Sequence, residues 1–184
     1  MASAQGPRFP ELLETKRLLL RRPHEGDRAA YVGIWADPDV WRAIGPGVMG
    51  APFDAAYAEC RFEHHVGHWE QNGFGLWLVR VAPHDDVAGW VGPVHPTYVP
   101  ELADEVEIAW SLRRRYWGAG IASEGAVTAL QAAFEHLARE QVVSLINPAN
   151  ARSSAVAQRL GMRESGEAMR PDTGEVIRIY KRAR

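Results

Sequence analysis

The chain has 184 residues, 46% hydrophobic and 24% charged, with a formal net charge of −2. That balance fits one globular domain with a substantial core and excludes a generally basic nucleic-acid binder. Cys60 is the only cysteine, which excludes an intrachain disulfide framework and a multi-cysteine zinc site; no apolar run approaches the ~20 residues of a membrane span.

The opening MASAQGPRFP lacks the long apolar core of a secretory signal. Residues 1–13 read as a mobile start to a single domain spanning 1–184, and the chain as cytoplasmic. KRLLLRR at 16–22 is the first strand signal. In HEGDRAAYVGIWAD, Ala29, Ala30, Tyr31, Ile34 and Trp35 recur at helical spacing, and Pro38 ends that helix. GPGVMGAP at 45–52 is a breaker-rich loop, and a second helix is expected over 53–70. FGLWLVRVA and VAGWVGPV, joined by PHDD, form an antiparallel hairpin. EVEIAWSL at 105–112 alternates: Val106, Ile108, Trp110 and Leu112 share one face, Glu105, Glu107, Ala109 and Ser111 the other. After Gly120, Ile121, Val127, Leu130, Ala133, Phe134 and Leu137 mark the longest helix. VVSLI is a buried strand. NPANARSSAVAQRLGM is a short helix capped at Asn150 and stopped near Gly161, and a last strand covers 175–181, paired across PDTG. The order β-α-α-β-β-β-α-β-α-β-β is a mixed α/β domain.

In SLRRRYWGAGIASEG, Arg113, Arg114 and Arg115 stand just before Gly118-Ala119-Gly120, between a strand and a helix. Glycines at a helix start let a ligand approach the backbone, and the helix N-terminus favours an anion. A dinucleotide fingerprint would need glycine at position 123, where Ser123 stands, and a Walker loop would need Gly-Lys-Ser/Thr. For the glycine pair alone, a solvated basic turn stays open.

The pattern Arg115-x-x-Gly118-x-Gly120 resembles the Arg/Gln-x-x-Gly-x-Gly/Ala loop of the GNAT acyl-CoA N-acyltransferases. EIAWSLRRRYWGAGIASEGA, NARSSAVAQRLGM and ETKRLLLRRPHEGD are similar to stretches of the branch containing the ribosomal-protein alanine and serine N-acetyltransferases. The likeness covers residues 14–180. Arg114 departs from a usual proline, Ala109 from glycine and Met162 from phenylalanine.

The resemblance implies the GNAT fold: one mixed central sheet flanked by helices, its fourth and fifth strands splayed, with acetyl-CoA in the gap. Carried over, the fourth strand is 105–112, with Trp110 and Leu112 near the cofactor. The pyrophosphate would sit on backbone N–H groups of Arg115, Gly118, Ala119, Gly120, Ile121 and Ala122. Asn150 would bond the pantetheine arm or orient its helix, and Arg159 would approach the phosphate end. Acetyl transfer to a primary amine, by direct transfer in a ternary complex, needs a base and a stabilised thiolate. The resemblance assigns these to Glu107, with Glu105 in reserve, and to Ser153, because Ala157 replaces the tyrosine many relatives use. Backbone N–H on the fourth strand would polarise the carbonyl. Cys60 has no partnering motif for a nucleophile.

His64 and His68 have an i,i+4 spacing but lack the His-Glu-x-x-His order; they read as helix surface, and no metal is implied. Trp77 and Trp90 read as core. Trp35, Trp41 and Phe53 border the expected acceptor pocket, and 35–52 reads as a mobile acceptor loop. The expected partners are acetyl-CoA and an amine acceptor, either a peptide N-terminus or a small molecule, with no nucleic acid or membrane. The chain is expected to be a monomer or homodimer. The alternative reading is a non-catalytic acyl-CoA-binding module, which would not need Glu107 or Ser153.

Overall fold

The structure, a computed structural model, describes residues 8–44, 54–83 and 86–184. Its strands are β1 (Leu12–Glu14), β2 (Leu18–Arg21), β3 (Trp77–Val81), β4 (Val87–Val94), β5 (Glu107–Leu112), β6 (Gln141–Ile146), β7 (Arg163–Met169) and β8 (Val176–Ala183). Its helices are α1 (Arg28–Trp35), α2 (Pro38–Ile44), α3 (Ala55–Asn72), α4 (Ile121–His136) and α5 (Ala151–Arg159). The strands form one eight-stranded mixed sheet in the order β1-β2-β3-β4-β5-β6-β8-β7.

Strand alternation sorts the core onto two faces. Trp77, Val79, Val91, Ile108 and Leu112 pack with Ile121, Ala129, Leu130 and Ala133 of α4 and with Val156 and Leu160 of α5. Leu78, Val87, Trp90 and Val94 pack with Tyr31, Ile34 and Trp35 of α1 and with Ala58 and Phe62 of α3. β4 is therefore buried along its whole length. α4 lies close to the sheet because its inner face is small: a Cβ at Gly125 would stand 3.1 Å from Val91 Cγ1.

β5 is held differently on its two sides. Against β4 it pairs continuously, from Gly89↔Leu112 to Val94↔Glu107. Against β6 the parallel ladder has one residue pair, Glu107↔Val143, with Val143 N–H donating to Val106 O at 2.9 Å. Ser144 Oγ then donates to Ile108 O at 2.7 Å, after which the strands part. This is the splay expected between the strand over 105–112 and the one over VVSLI.

Three expectations need correction. Residues 8–13 are not a loose start: β1 pairs with β2, and Phe9 is buried and stacked on Trp77 with ring centroids 5.0 Å apart. Neither Phe9 nor a three-residue strand has a periodicity to read. Pro38 does not simply end a helix; it begins α2, where a missing N–H costs nothing, and Asp37 Oδ1 accepts the Asp39 N–H at 2.9 Å. Residues 38–44 of the expected acceptor loop are thus helical, while 45–52 and Phe53 lie outside the described residues.

Gly89 permits the close β4–β5 approach, since a Cβ there would meet Ser111 O at 2.0 Å and Leu112 Cα at 2.7 Å. Gly89→Ala is expected to lower stability by at least about 1–3 kcal/mol, read as a fall in the urea midpoint at unchanged slope. A wild-type midpoint would show that β5 yields there.

Candidate active site

Where β5 and β6 separate, a cleft of about 700 Å³ opens, bordered by β5, the residues before and within α4, and α5. Its other lobe is walled by α3, by the segment after β4 and by aromatic side chains that include Trp35, Tyr57 and Trp90.

At one end stands the glycine loop. Gly118 and Gly120 both have φ +76°, a left-handed backbone that disfavours any side chain. Gly120 caps α4 with no side-chain acceptor, so the first-turn N–H groups, including those of Ile121 and Ala122, have no cap. Gly118, Gly120, Ile121 and Ala122 all line the cleft. The result is an anion seat made of backbone. Arg17 clamps it from behind: Nη1 donates to Ala119 O at 2.8 Å, and Nε to Glu124 Oε2 at 2.7 Å.

The three consecutive arginines do not line this seat. Arg113 Nη2 donates to Ala30 O at 3.1 Å, Arg114 lies 3.6 Å from Asp39, and Arg115 pairs with Asp86 at 2.8 Å. Ala119, its carbonyl taken by Arg17, also stands outside the lining. Four arginines do line the cleft: Arg152 and the expected Arg159 from α5, Arg61 from α3, and Arg170 after β7; sequence reasoning missed Arg61, Arg152 and Arg170. Arg152 lies over Trp117 at 4.9 Å, and Trp117 Nε1 donates to Leu112 O at 2.7 Å.

Along β5, the carbonyls of Val106, Ile108 and Leu112 take their partners on the β6 side. By alternation, the N–H and C=O of Trp110 share that edge, opposite no strand. Trp110 and Leu112 both line the cleft, as expected.

Glu107 stands where the strands part and is 5% exposed. Tyr98 Oη donates to its Oε2 at 3.0 Å, and Leu145 N–H approaches Oε1 at 3.4 Å. Burial raises the carboxyl from 4.5 to about 7, against smaller lowering effects from Tyr98, Leu145, Arg61 and Arg170. Glu105 is not an equal reserve: it accepts from Gln141 Nε2 at 2.8 Å and does not line the cleft. Tyr98 had no motif to reveal it, because the loop after β4 delivers it.

Asn150 caps α5 by accepting the Ser153 N–H at 3.0 Å, and its Nδ2 donates to Ala43 O at 2.8 Å, tying α5 to α2. Both ends of the amide thus have protein partners. Ser153 lines the cleft from the first turn of α5.

The histidines are not a helix surface throughout. His65 and His68 are buried, whereas His64 lines the cleft. His68 Nδ1 pairs with Phe74 O at 2.8 Å, and its Nε2 accepts the His95 N–H at 3.1 Å. Among the described residues, no group of three or more His, Cys, Asp or Glu could hold a metal ion. Trp77 is core; Trp90 is both core and cleft wall; Trp41 packs against Trp35 and Tyr57 behind the lining.

The Acetyltransferase (GNAT) domain family matches residues 17–163. The FsC-acetyl coenzyme A-N(2)-transacetylase of Aspergillus fumigatus is 30% identical over 159 residues, covering 82% of this chain and 64% of that protein. An acetyltransferase structure from Agrobacterium tumefaciens aligns with TM-score 0.78 at 29% identity, over 94% of each chain. The ribosomal-protein-S5-alanine acetyltransferase of Vibrio fischeri aligns with TM-score 0.70 at 16% identity, over 94% of this chain and 96% of its own, which is likeness of fold alone.

Because Glu107 has a folded value raised from 4.5 to about 7, its contribution to stability is full below 4.5 and is lost as pH rises to 7. Relative to wild type, Glu107→Gln is expected to gain about 3 kcal/mol between those limits. Denaturant unfolding across pH checks this; parallel profiles for the two proteins would contradict it.

Proposed function

The chain belongs to the acetyltransferase (GNAT) domain family, and on that premise we propose that it moves an acetyl group from acetyl-CoA directly to a primary amine within one ternary complex. The observation that carries the reading is Glu107, a buried carboxyl brought near neutrality in the same cleft as the uncapped start of α4. A pure binding module has no use for such a group.

Acetyl-CoA supplies the activated acetyl group. The chain's residues fit it: left-handed Gly118 and Gly120 with the first-turn N–H groups of α4 seat the pyrophosphate. Arg152 and Arg159 supply positive charge at the same end, whereas Arg115 stands outside the lining with its side chain held by Asp86. Trp110 N–H, on the free edge of β5, polarises the carbonyl. Glu107 accepts the amine's proton, directly or through one water, while the Tyr98 hydroxyl holds its carboxylate. Ser153 stabilises the departing thiolate, its helix aimed by Asn150. The new bond is N–C and the broken bond C–S. No covalent intermediate on the enzyme is involved.

For the acceptor, the motifs at 105–125 and 150–162 support the ribosomal-protein N-terminal branch, and the fold shared with the Vibrio fischeri enzyme is compatible with it. A small amine is the other acceptor class.

Thiol release from acetyl-CoA over an amine panel tests the reaction. Turnover is expected to rise with pH through about 7 as Glu107 ionises. Glu107→Gln should lower kcat by roughly 10²-fold or more and flatten that rise, with acetyl-CoA affinity retained. Ser153→Ala should lower kcat more than acetyl-CoA affinity. Wild-type turnover in either variant removes that residue from the mechanism, and absence of turnover with any amine sinks the reading.

A further inference from the structure

Most arginines in this fold have a carboxylate beside them. Arg17 pairs with Glu124, Arg21 with Asp27, Arg28 with Glu25, Glu59 and Glu63, Arg115 with Asp86, and Arg170 with Asp172. Arg61 differs. It sits on α3, lines the acceptor lobe, and forms no ion pair with a carboxylate among the described residues. Its guanidinium makes one hydrogen bond there, from Nη2 to His65 Nε2 at 3.1 Å. His65 must therefore carry its proton on Nδ1, which is 2.5 Å from Tyr31 Oη. Burial, then Arg61, keeps that imidazole neutral. The chain Arg61–His65–Tyr31 fixes the guanidinium without neutralising it.

The surrounding wall is rich in donors. Arg61 Nε and Trp90 Nε1 are buried without a partner among the described residues. Trp35, Tyr57 and Trp90 supply apolar surface, and Trp35 and Trp90 stack with centroids 6.3 Å apart. Two carboxylates line this lobe, Glu107 and Glu175. Glu107 is the proton acceptor, and Glu175 stands at the entry to β8 beside Arg170, whose backbone N–H donates to its carbonyl at 2.9 Å. A fixed cation in a partly desolvated wall calls for an anion, and the planar guanidinium fork suits a carboxylate.

We propose that the acceptor is a small amine that also bears a carboxylate, an amino acid or close derivative, with Arg61 binding the carboxylate and Glu107 receiving the amine. Arg170 also lines the cleft but is paired with Asp172, so Arg61 and Glu107 are the cation and carboxylate that complement a zwitterion. The aromatic side chains then meet the acceptor's apolar portion. A peptide N-terminus has no carboxylate at that distance from its amine, so the same arrangement selects against longer chains. This inference rests on acetyl transfer as the reaction and names the substrate class for that site.

The test compares kcat/KM for the common amino acids, their C-terminal amides and short peptides beginning with the same residues, with thiol release as readout. At least one free amino acid should exceed its amide by roughly tenfold or more, the difference lying in KM. Arg61→Gln should lower kcat/KM for that amino acid at least tenfold further than for its amide. Arg61→Lys should restore part of the difference, since it keeps the charge without the fork. Amides or peptides turned over as well as the free acids would overturn the substrate class while leaving acetyl transfer intact. Equal losses for acid and amide in Arg61→Gln would do the same, making Arg61 a general support of the site. If acetyl-CoA binds but nothing in the panel is acetylated, both readings fall.

Discussion

β5 and β6 hold each other at one residue pair, Glu107 opposite Val143, and then separate. A continuous ladder there would seal the sheet and leave no cleft. The split is tolerated because each strand is anchored on its other side: β5 by six residues of β4, and β6 by six of β8. The backbone groups that lose a strand neighbour find other partners, Ile108 O in Ser144 Oγ and Leu112 O in Trp117 Nε1. Only around Trp110 does the strand edge stay open, and that is where an acyl chain can add to the sheet. The last shared pair also sets the chemistry, because Glu107 is carried into a dry wall at the point of parting.

The cleft's two ends differ in how they handle charge. At the α4 end, positive character comes from backbone N–H groups and from α5 arginines near the surface, which suits phosphates that remain partly hydrated. At the α3 end, charge is carried by buried or half-buried side chains, among them Glu107 and Arg61, whose environments are shaped by aromatic rings. Interactions there are less screened, so each group discriminates more strongly. Arg17 and Glu124 belong to neither end, yet they join the β1–β2 turn to the loop and hold its backbone in register.

Much of the fold was legible because it follows local rules. The hairpin of β3 and β4, the alternation of β5 and the long helix after Gly120 each had a clear period. The same was true of the Asn150 cap and the Gly161 stop, which act within a few residues of their own helix. β1 and α2 were missed because one is three residues long and the other begins at a proline that reads as a breaker. Among the residues that line the cleft, Gly118, Gly120, Glu107, Trp110 and Ser153 are legible because they share one contiguous motif or a fixed offset from Asn150. Tyr98, Arg61 and Arg152 have no such address. Each reaches the cleft only through packing of elements distant in sequence.

The sequence by itself therefore determined the mixed sheet, the glycines that open the long helix and the strand that carries Glu107, since these depend on spacing along the chain. It also set three arginines just before those glycines and left their partners open. Only the tertiary structure decided that all three are occupied elsewhere and that Arg152 faces the cleft beside Arg159. It also decided that burial brings Glu107 near neutrality and that Arg61 has no carboxylate partner among the described residues. Partner, burial and charge balance are relations between segments that meet only on folding, so no spacing rule carries them.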